Sequence, residues 1–378
     1  MYVPLTKPYF DKKEEEACIA VLRSGWVAQG PQNVALEKEF AKLTNTKYAV
    51  AVSNATTALH LALVVSGIKP GDEVIVPSYS FIASANVILH VGATPIFIDV
   101  DEKTFNLDPI LLGKKITKKT KAIIAVDQVG LSSEIDVIYK IAKKHNITVI
   151  SDAACAIGAE FKGKKIGGLA DITCFSFHAR KLITTGEGGI ITTNNKNFAE
   201  KAMMWRSQGV SISAAARHGM KKVVIETYAV PGFNYRLSDI QAAIAIAQLK
   251  KLPVILKKRE KLAKRYNSLL KTIKFLELPY VPKYAKHSWQ TYIIKLTSDS
   301  PISQINLMQK LLDDGIATRR GVMASHEEVI YKKMFPKLSL PVTERLNRSA
   351  VCLPLFPQMT IAQQDYVIKR LKYHLKEK

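Results

Sequence analysis

Short apolar runs alternate with segments of helical periodicity over residues 48–176, and this alternation restricts the fold more than any other feature. Runs with the length and composition of strands occur at residues 48–52, 73–76, 95–100, 121–126, 147–150 and 172–177. Apolar residues at helical spacing lie between them, for example at residues 56–65 and 135–145. Strands that alternate with helices build a mostly parallel sheet with helices on both faces. The sequence therefore predicts an α/β fold whose ligands bind beyond the carboxyl ends of the strands.

The C-terminal third predicts a second, smaller domain. Ser238 is expected to cap an alanine-rich helix, and Pro253 to mark the start of the next helix, which is lysine-rich over residues 255–270. Strand and helix segments follow at residues 288–296, 303–314, 316–320 and 360–375. We therefore predict a large α/β domain over residues 1–250 and a small α+β domain over residues 251–378.

Composition predicts a soluble globular protein with a basic surface. Apolar residues make up 47% of the chain and charged residues 23%, and the formal net charge is +23. A positive field favours anionic small molecules such as nucleotides. Because the sequence has no helix-turn-helix, zinc-finger or RNA-binding signature, we expect no nucleic-acid partner.

The cysteines and the N-terminal residues predict a cytoplasmic location. Cys18, Cys155, Cys174 and Cys352 are far apart and form no CxxC pair, which argues against a zinc site or a disulfide framework and fits a reducing compartment. The first residues lack the apolar segment of a signal peptide, and no apolar run approaches the roughly 20 residues of a membrane span. We expect neither a metal nor a membrane partner.

A lysine between two predicted strands is the first candidate for chemistry. The strand at residues 172–177 leads into a polar turn with His178, Arg180 and Lys181, and a glycine-rich bend precedes a second strand at residues 190–193. An amine held against such a scaffold is partly desolvated, which makes it a nucleophile towards carbonyl carbon. The alternative from this stretch alone is a solvated lysine at the tip of a hairpin.

Other polar and aromatic residues are predicted at the same edge of the sheet. The small residues around Asn54 follow a strand and precede a helix, where they cap the helix or bind an anion at its N-terminus. Phe81 and Asp152 also follow strands. An amine, a carboxylate, an aromatic face and an anion site are what pyridoxal phosphate (PLP) needs. The sequence therefore predicts a PLP site at this edge.

Seven motifs in order resemble the DegT/DnrJ/EryC1/StrS family of PLP-dependent nucleotide-sugar aminotransferases. They are SGWVAQGPQ, SNATTALHLAL, PSYSFIASAN, SDAACAIGAEFKGKKIGG, CFSFHARKLITTGEGG, GFNYRLSDIQAAI and GIATRRGVMASH, and they extend over nearly the whole chain. The resemblance implies the type I, aspartate-aminotransferase-like fold. That fold has a mostly parallel seven-stranded sheet flanked by helices and a smaller C-terminal α+β domain.

The resemblance also implies roles for individual residues. Lys181 would bind the cofactor covalently and act as the catalytic base, and Asp152 would pair with the pyridine nitrogen. Phe81 would stack on the ring. Cys155 stands where the family has glutamine or histidine, which leaves the usual hydrogen bond beside the ring open. The other implied cofactor-binding residues are Asn54, Ala55, Thr56, Ser176, His178 and, from a partner subunit, Asn234.

The implied reaction moves the amino group of L-glutamate to a keto group of a sugar linked to dTDP, UDP or GDP, for aminosugar and surface-polysaccharide synthesis. It would take place in a homodimer with shared active sites. The implied substrate-binding residues are Trp26, Gln29, Glu187, Arg236, Arg319 and Arg320. For the two last arginines, the alternative is an ordinary surface position on the small domain.

Three other functions stay open at this point. A sugar dehydratase or lyase has the same fold, but such members have histidine in place of Lys181. A non-nucleotide cyclic ketone is an alternative acceptor. A binding protein that lost the chemistry is disfavoured, because it would not need Lys181, Asp152 and Thr56 together.

Overall fold

The computed structural model describes residues 1–211 and 225–376. Its strands are β1 Tyr48–Val52, β2 Glu73–Pro77, β3 Thr94–Ile98, β4 Thr120–Val126, β5 Thr148–Asp152, β6 Glu160–Phe161, β7 Lys164–Lys165, β8 Ile172–Ser176, β9 Gly189–Thr193, β10 Leu276–Glu277, β11 Ala285–Lys286, β12 Tyr292–Leu296, β13 Arg319–Arg320 and β14 Ala350–Leu353. Its helices are α1 Lys12–Ser24, α2 Pro31–Thr44, α3 Ala55–Val65, α4 Ala83–His90, α5 Leu112–Lys115, α6 Ile135–Lys144, α7 Lys196–Trp205, α8 Asp239–Leu270, α9 Gln304–Asp313, α10 Val329–Met334, α11 Pro341–Ser349 and α12 Ile361–His374.

A seven-stranded sheet in the order β1-β9-β8-β5-β4-β2-β3 forms the centre of the larger part. The neighbours from β8 to β3 pair in parallel, whereas β9 is antiparallel to both β1 and β8. The mostly parallel seven-stranded sheet expected for the type I fold is therefore confirmed. Because β1, β2, β4, β5 and β8 run in one direction, their carboxyl ends meet at one edge.

Helices cover both faces of this sheet, as the alternating pattern predicts. One core packs Phe40 of α2 and Ile138 of α6 against the strands, and a second core packs Leu61 of α3 and Val87 of α4 on the other face. Strands buried on both faces read as continuous apolar runs, which explains why they are visible in the sequence. Within the described residues, no helix is both long and apolar enough to span a membrane.

A smaller antiparallel sheet, in the order β10-β12-β14-β13, packs on a separate core. That core includes Tyr266 of α8, Leu311 of α9 and Leu371 of α12. Val3 also belongs to it and pairs with Ile316, so the start of the chain packs with the C-terminal part. The predicted boundary between residues 250 and 251 falls inside α8, and the division into two domains stays a prediction.

The prediction that a helix ends before Pro253 is wrong. Helix α8 continues from Asp239 to Leu270 with this proline inside it. A proline removes one backbone hydrogen bond from a helix interior. Leu252 and Ile255, on either side of it, are fully packed in the structure, and burial on this scale outweighs local propensity.

The loop that follows β13 is fastened to the loop that follows β2. The N–H of Ser325 donates to the carbonyl of Ser78 at 2.8 Å, and Ser78 Oγ lies 2.7 Å from His326 Nδ1. The N–H of Val322 donates to the Tyr79 hydroxyl at 3.1 Å. These buried bonds bring the small sheet to the carboxyl edge of the large one.

Strand β9 lies unusually close to the start of helix α3. Gly189 pairs with Val52, and a Cβ at this glycine would lie 2.5 Å from the carbonyl carbon of Asn54 and 2.8 Å from the nitrogen of Ala55. Atoms cannot approach so closely, so only glycine permits this contact. The contact fixes the position of the bend after Lys181 relative to the N-terminus of α3.

We expect Gly189→Ala to lower the free energy of unfolding by about 1–3 kcal/mol, because the added methyl group must displace backbone in a packed region. Equilibrium urea denaturation measures the change. The matched control is Gly113→Ala, because nothing lies within 4 Å of a Cβ at Gly113 in α5. Equal stability of the two variants would contradict the close contact.

Candidate active site

A cleft of about 690 Å³ opens at the carboxyl edge of the large sheet, beside the small sheet. It collects most of the residues that the sequence analysis singled out. Those that line it are Asn54, Ala55, Thr56, Phe81, Asp152, Cys155, Ser176, His178, Lys181, Glu187 and Arg319. They come from separate segments of the chain, which the fold brings together at this edge.

Asp152 is the buried carboxylate of the cleft. It ends β5, its residue is 6% exposed, and Ser84 Oγ donates to its Oδ2 at 2.7 Å while the N–H of Ala154 donates to Oδ1 at 3.1 Å. Burial raises the pKa of Asp152, and the bonds from Ser84 and Ala154 and the charge of Lys181 oppose that rise. A carboxylate so placed is suited to pair with one cationic N–H group.

Lys181 lies in the turn between β8 and β9, as the sequence predicts. Its N–H donates to the carbonyl of His178 at 2.8 Å, which closes the turn. Its Nζ lies 3.0 Å from Cys155 Sγ. The amine therefore projects into the cleft rather than standing at the tip of a hairpin, and Cys155 is its polar neighbour there.

The N-terminus of α3 forms the anion-binding end of the cleft. Asn54 caps the helix, and its Oδ1 accepts the N–H of Thr57 at 2.8 Å. Within residues 1–211 and 225–376, the N–H groups of Ala55 and Thr56 have no acceptor. Ser176, at the end of β8, lines the same region. Capping by Asn54 thus uses one of the N–H groups at the start of α3 and leaves others for an anion. The two roles predicted from the sequence, helix capping and anion binding, are therefore compatible.

His178 and Phe81 also line the cleft. His178 Nε2 lies 3.7 Å from Glu187 Oε1, and partial burial lowers the pKa of His178 while Glu187 acts in the opposite direction. Phe81 is 54% exposed, so one face of its ring is open to the cleft in the single chain. An aromatic side chain this exposed can stack on a planar ligand.

Five predicted residues do not line the cleft of their own chain. Asn234 is exposed and pairs through its backbone with Ser207, and Arg320 forms an ion pair with Glu328 at 3.2 Å. The remaining three lie on or near the loop before α2 or the start of α8: Trp26, Gln29 and Arg236. Trp26 Nε1 donates to the carbonyl of Gln29 at 3.3 Å. Their roles stay predictions.

Ser84 was not among the predicted site residues, and Asp127, which the sequence places at this edge of the sheet, was given no role. Ser84 lies inside the motif that contains Phe81, three residues further on, but nothing in that motif indicates that its hydroxyl meets Asp152. Asp127 follows β4 and accepts hydrogen bonds from Ser133 and Ser151, while burial raises its pKa to about 6. Its position after a strand was a visible signal, and its contacts were not.

The residues of the cleft fit PLP. A phosphate matches the free N–H groups of Ala55 and Thr56, and a pyridinium N–H matches the buried carboxylate of Asp152. Lys181 lines the same cleft and would supply the amine that binds the aldehyde of the cofactor. Gly189, which admits no Cβ, lets strand β9 pack directly against the backbone at the start of α3, where these N–H groups lie.

Solved structures with the same fold extend over the whole chain. Helicobacter pylori PseC, an aminotransferase involved in the biosynthesis of pseudoaminic acid, is 29% identical with a TM-score of 0.93 and covers 100% of both chains. The aminotransferase TlmJ from Streptoalloteichus hindustanus is 28% identical with a TM-score of 0.91, covering 99% of both. The PMP form of a candidate sugar aminotransferase from Streptococcus pneumoniae is 29% identical with a TM-score of 0.92, also covering 99% of both.

Fold and site together define a PLP-dependent aminotransferase of the type I fold. The model of the DegT/DnrJ/EryC1/StrS aminotransferase family matches residues 8–372, and the chain belongs to this family. Its function is therefore that of a sugar aminotransferase, and the predicted fold, cofactor and enzyme class are confirmed.

We expect Ser84→Ala to weaken PLP binding roughly tenfold, because it removes a hydrogen bond to a buried charge. That bond holds the pKa of Asp152 down, so its loss raises the pKa further, and the carboxylate becomes protonated at a higher pH as acid is added. As the pH is lowered, the variant should therefore begin to lose affinity for PLP at a higher pH than the wild-type enzyme does. Absorbance titration with PLP across pH measures both effects.

Ser132→Ala is the control for this experiment. Ser132 is also a buried serine, but its Oγ donates to the carbonyl of Ser133 and it does not line the cleft. An unchanged pH profile in Ser84→Ala would show that this hydroxyl does not govern the carboxylate.

Proposed function

We propose that the enzyme transfers the amino group of L-glutamate to a keto group of a nucleotide-linked sugar. The observation that carries the proposal is the position of Lys181 Nζ in one cleft with Asp152 and the anion-binding start of α3. The formal net charge of +23 supports an acceptor with an anionic nucleotide. Membership of a sugar aminotransferase family supports a keto-sugar as the acceptor.

Each side chain of the cleft would have a separate role in this reaction. When bound, PLP supplies a reactive carbonyl carbon and an electron sink. Asp152 keeps the ring nitrogen protonated, since a buried carboxylate stabilises a cation beside it. Ala55 and Thr56, with Ser176, bind the phosphate. Lys181 would hold the cofactor and, once released, would move a proton from the α-carbon of the amino donor to the cofactor carbon that carried the aldehyde.

Cys155 affects how the lysine is held. Its Sγ accepts from Lys181 Nζ at 3.0 Å, where the family's usual residue is larger and more polar. A thiol offers a weak acceptor, so it orients the amine without neutralising it. We propose that Cys155 positions Lys181 and also packs beside the cofactor ring.

We propose a homodimer in which each site uses residues of both chains. Asn234 is exposed and does not line the cleft of its own chain, although it belongs to a motif with an implied role at the phosphate. Phe81, Trp26 and Arg236 would likewise gain contacts at such an interface. A cytoplasmic location is also part of the proposal, supported by four cysteines without a disulfide.

The test of transfer uses glutamate labelled with ¹⁵N and a panel of dTDP-, UDP- and GDP-linked keto-sugars. We expect labelled nitrogen on one sugar and one 2-oxoglutarate for each amine formed, because Lys181 returns the proton that completes transfer. Mass spectrometry of the product measures it. Lys181→Ala should lower the rate by at least about a thousandfold.

An unlabelled product that has lost a hydroxyl group would replace this proposal with the dehydratase function. Labelled nitrogen on a non-nucleotide cyclic ketone, and on none of the nucleotide-linked sugars, would replace only the acceptor.

Mixing two inactive variants tests the shared site. A dimer of one Lys181→Ala chain and one Asn234→Ala chain contains one site with both residues intact and one with neither. A random mixture should therefore recover about a quarter of the wild-type activity, because half of the dimers are mixed and each has one complete site. The transfer assay measures recovery, and mass spectrometry of intact dimers confirms exchange. If the subunits exchange and no activity returns, the proposal of active sites shared between subunits is contradicted.

A further inference from the structure

Two arginines line the cleft without an anionic partner among the residues that the structure describes. Arg180 lies beside Lys181 in the turn after β8, and Arg319 begins β13 of the small sheet. Within residues 1–211 and 225–376, no carboxylate forms an ion pair with either guanidinium. Neighbouring arginines differ, since Arg320 pairs with Glu328 and Arg348 with Glu327.

The backbone of Arg180 is held in place although its side chain is exposed. Gln290 Nε2 donates to its carbonyl at 2.7 Å, and its N–H donates to His178 Nδ1 at 3.2 Å. Gln290 is itself 8% exposed and lines the cleft. The turn therefore presents Arg180 at the mouth of the cleft from a rigid base.

Arg319 is less exposed than Arg180 and is held by the small sheet. It pairs in register with Cys352 of β14, and the loop after β13 is bonded to the loop after β2. Burial lowers the pKa of Arg319, and the positive charge of Arg180 is the next cause. Both guanidiniums line the same cleft, and Arg319 is half-buried there. A half-buried cation that shares a cleft with a second cation is unfavourable unless an anion binds beside it.

The chemistry near Lys181 selects between the anions of the two substrates. Cys155, which contacts Lys181 Nζ at 3.0 Å, lines the same cleft as Arg180 and Arg319. In an amino acid, the carboxylate is attached to the carbon that carries the reacting nitrogen. In a nucleotide-linked sugar, ring atoms separate the diphosphate from the keto carbon. A cation close to the reacting amine therefore suits a carboxylate better.

We propose that Arg319 binds the α-carboxylate and Arg180 the side-chain carboxylate of the amino donor, so that the pair selects a dicarboxylic amino acid. Planar guanidinium groups bind carboxylates through two parallel hydrogen bonds. Arg319 takes the inner group because it is the less exposed of the two, and Arg180, which is exposed, takes the outer group at the mouth. The inference rests on the proposed glutamate donor and names the residues that recognise it.

The test uses the donor half-reaction of the holoenzyme, in which an amino acid alone converts the PLP form to the PMP form without any sugar. Arg180→Gln should raise the half-saturating concentration of glutamate roughly 10- to 100-fold, because it removes a charged hydrogen-bonding partner. Its effect on glutamine and alanine should stay within about threefold, since neither has a side-chain carboxylate. Arg319→Gln should raise the value for all three amino acids. Arg180→Lys should recover part of the glutamate affinity.

Arg348→Gln is the matched control, because Arg348 is exposed, pairs with Glu327 at 3.0 Å and does not line the cleft. It should leave every value within about twofold. Calorimetric titration with glutarate, a dicarboxylate that cannot react, measures binding apart from turnover. Its affinity should fall in both cleft variants. Thermal melting and the absorbance of bound PLP confirm that each variant is folded and loaded.

Two results would overturn the assignment. One is a fall in affinity for UDP, dTDP or GDP in Arg180→Gln with glutamate and glutarate unchanged, which would assign the pair to the diphosphate. The other is an equal loss for glutamate, glutamine and alanine in Arg180→Gln. If no nucleotide-linked sugar accepts nitrogen while the glutamate half-reaction behaves as expected, the proposed acceptor fails and this inference stands.

Discussion

The close approach of strand β9 to the start of helix α3 is the contact on which the site depends. Gly189 lies where a side chain would strike the backbone between Asn54 and Ala55. Two segments far apart in the chain therefore meet with nothing between them but backbone. The N-terminus of a helix, with its free N–H groups, is thereby fixed beside the turn that carries Lys181. Close packing therefore fixes the distance between the anion-binding point and the reactive amine, because a packed protein interior deforms little.

Around that contact, the electrostatics of the cleft follow from burial. Asp152 is removed from water at the end of a central strand, which would favour its neutral form, while Ser84, Ala154 and the charge of Lys181 stabilise the carboxylate. Asp127, one strand away, is equally enclosed and has three hydrogen bonds from serines. The two buried acids share an edge of the sheet and line the same cleft. The charge of Lys181 helps to lower the pKa of Asp152, whereas the hydrogen bonds from Ser133 and Ser151 lower that of Asp127.

The small sheet contributes to chemistry because its loop is fastened to the large one. The bonds from Ser325 and His326 to Ser78, and from Val322 to Tyr79, place β13 at the mouth of the cleft. Because of these bonds, Arg319 lines the cleft. The next residue, Arg320, forms an ion pair with Glu328 instead. The relatives share the overall fold at 28–29% identity over nearly the full chain. Such similarity establishes fold, cofactor and reaction class, and leaves the choice of substrates to side chains in the cleft.

The sequence by itself determined the parallel sheet, because strands buried on both faces must be continuous apolar runs, and it determined the edge at which a ligand binds. It also indicated Lys181, Asp152 and the start of α3, since each follows a strand whose end lies at that edge. The tertiary structure decided the rest. That Ser84 meets Asp152, that Cys155 contacts Lys181 and that Pro253 lies inside one long helix are results of packing between distant segments. Local sequence carries no record of which residue will face a partner tens or hundreds of positions away, because that depends on how whole elements pack.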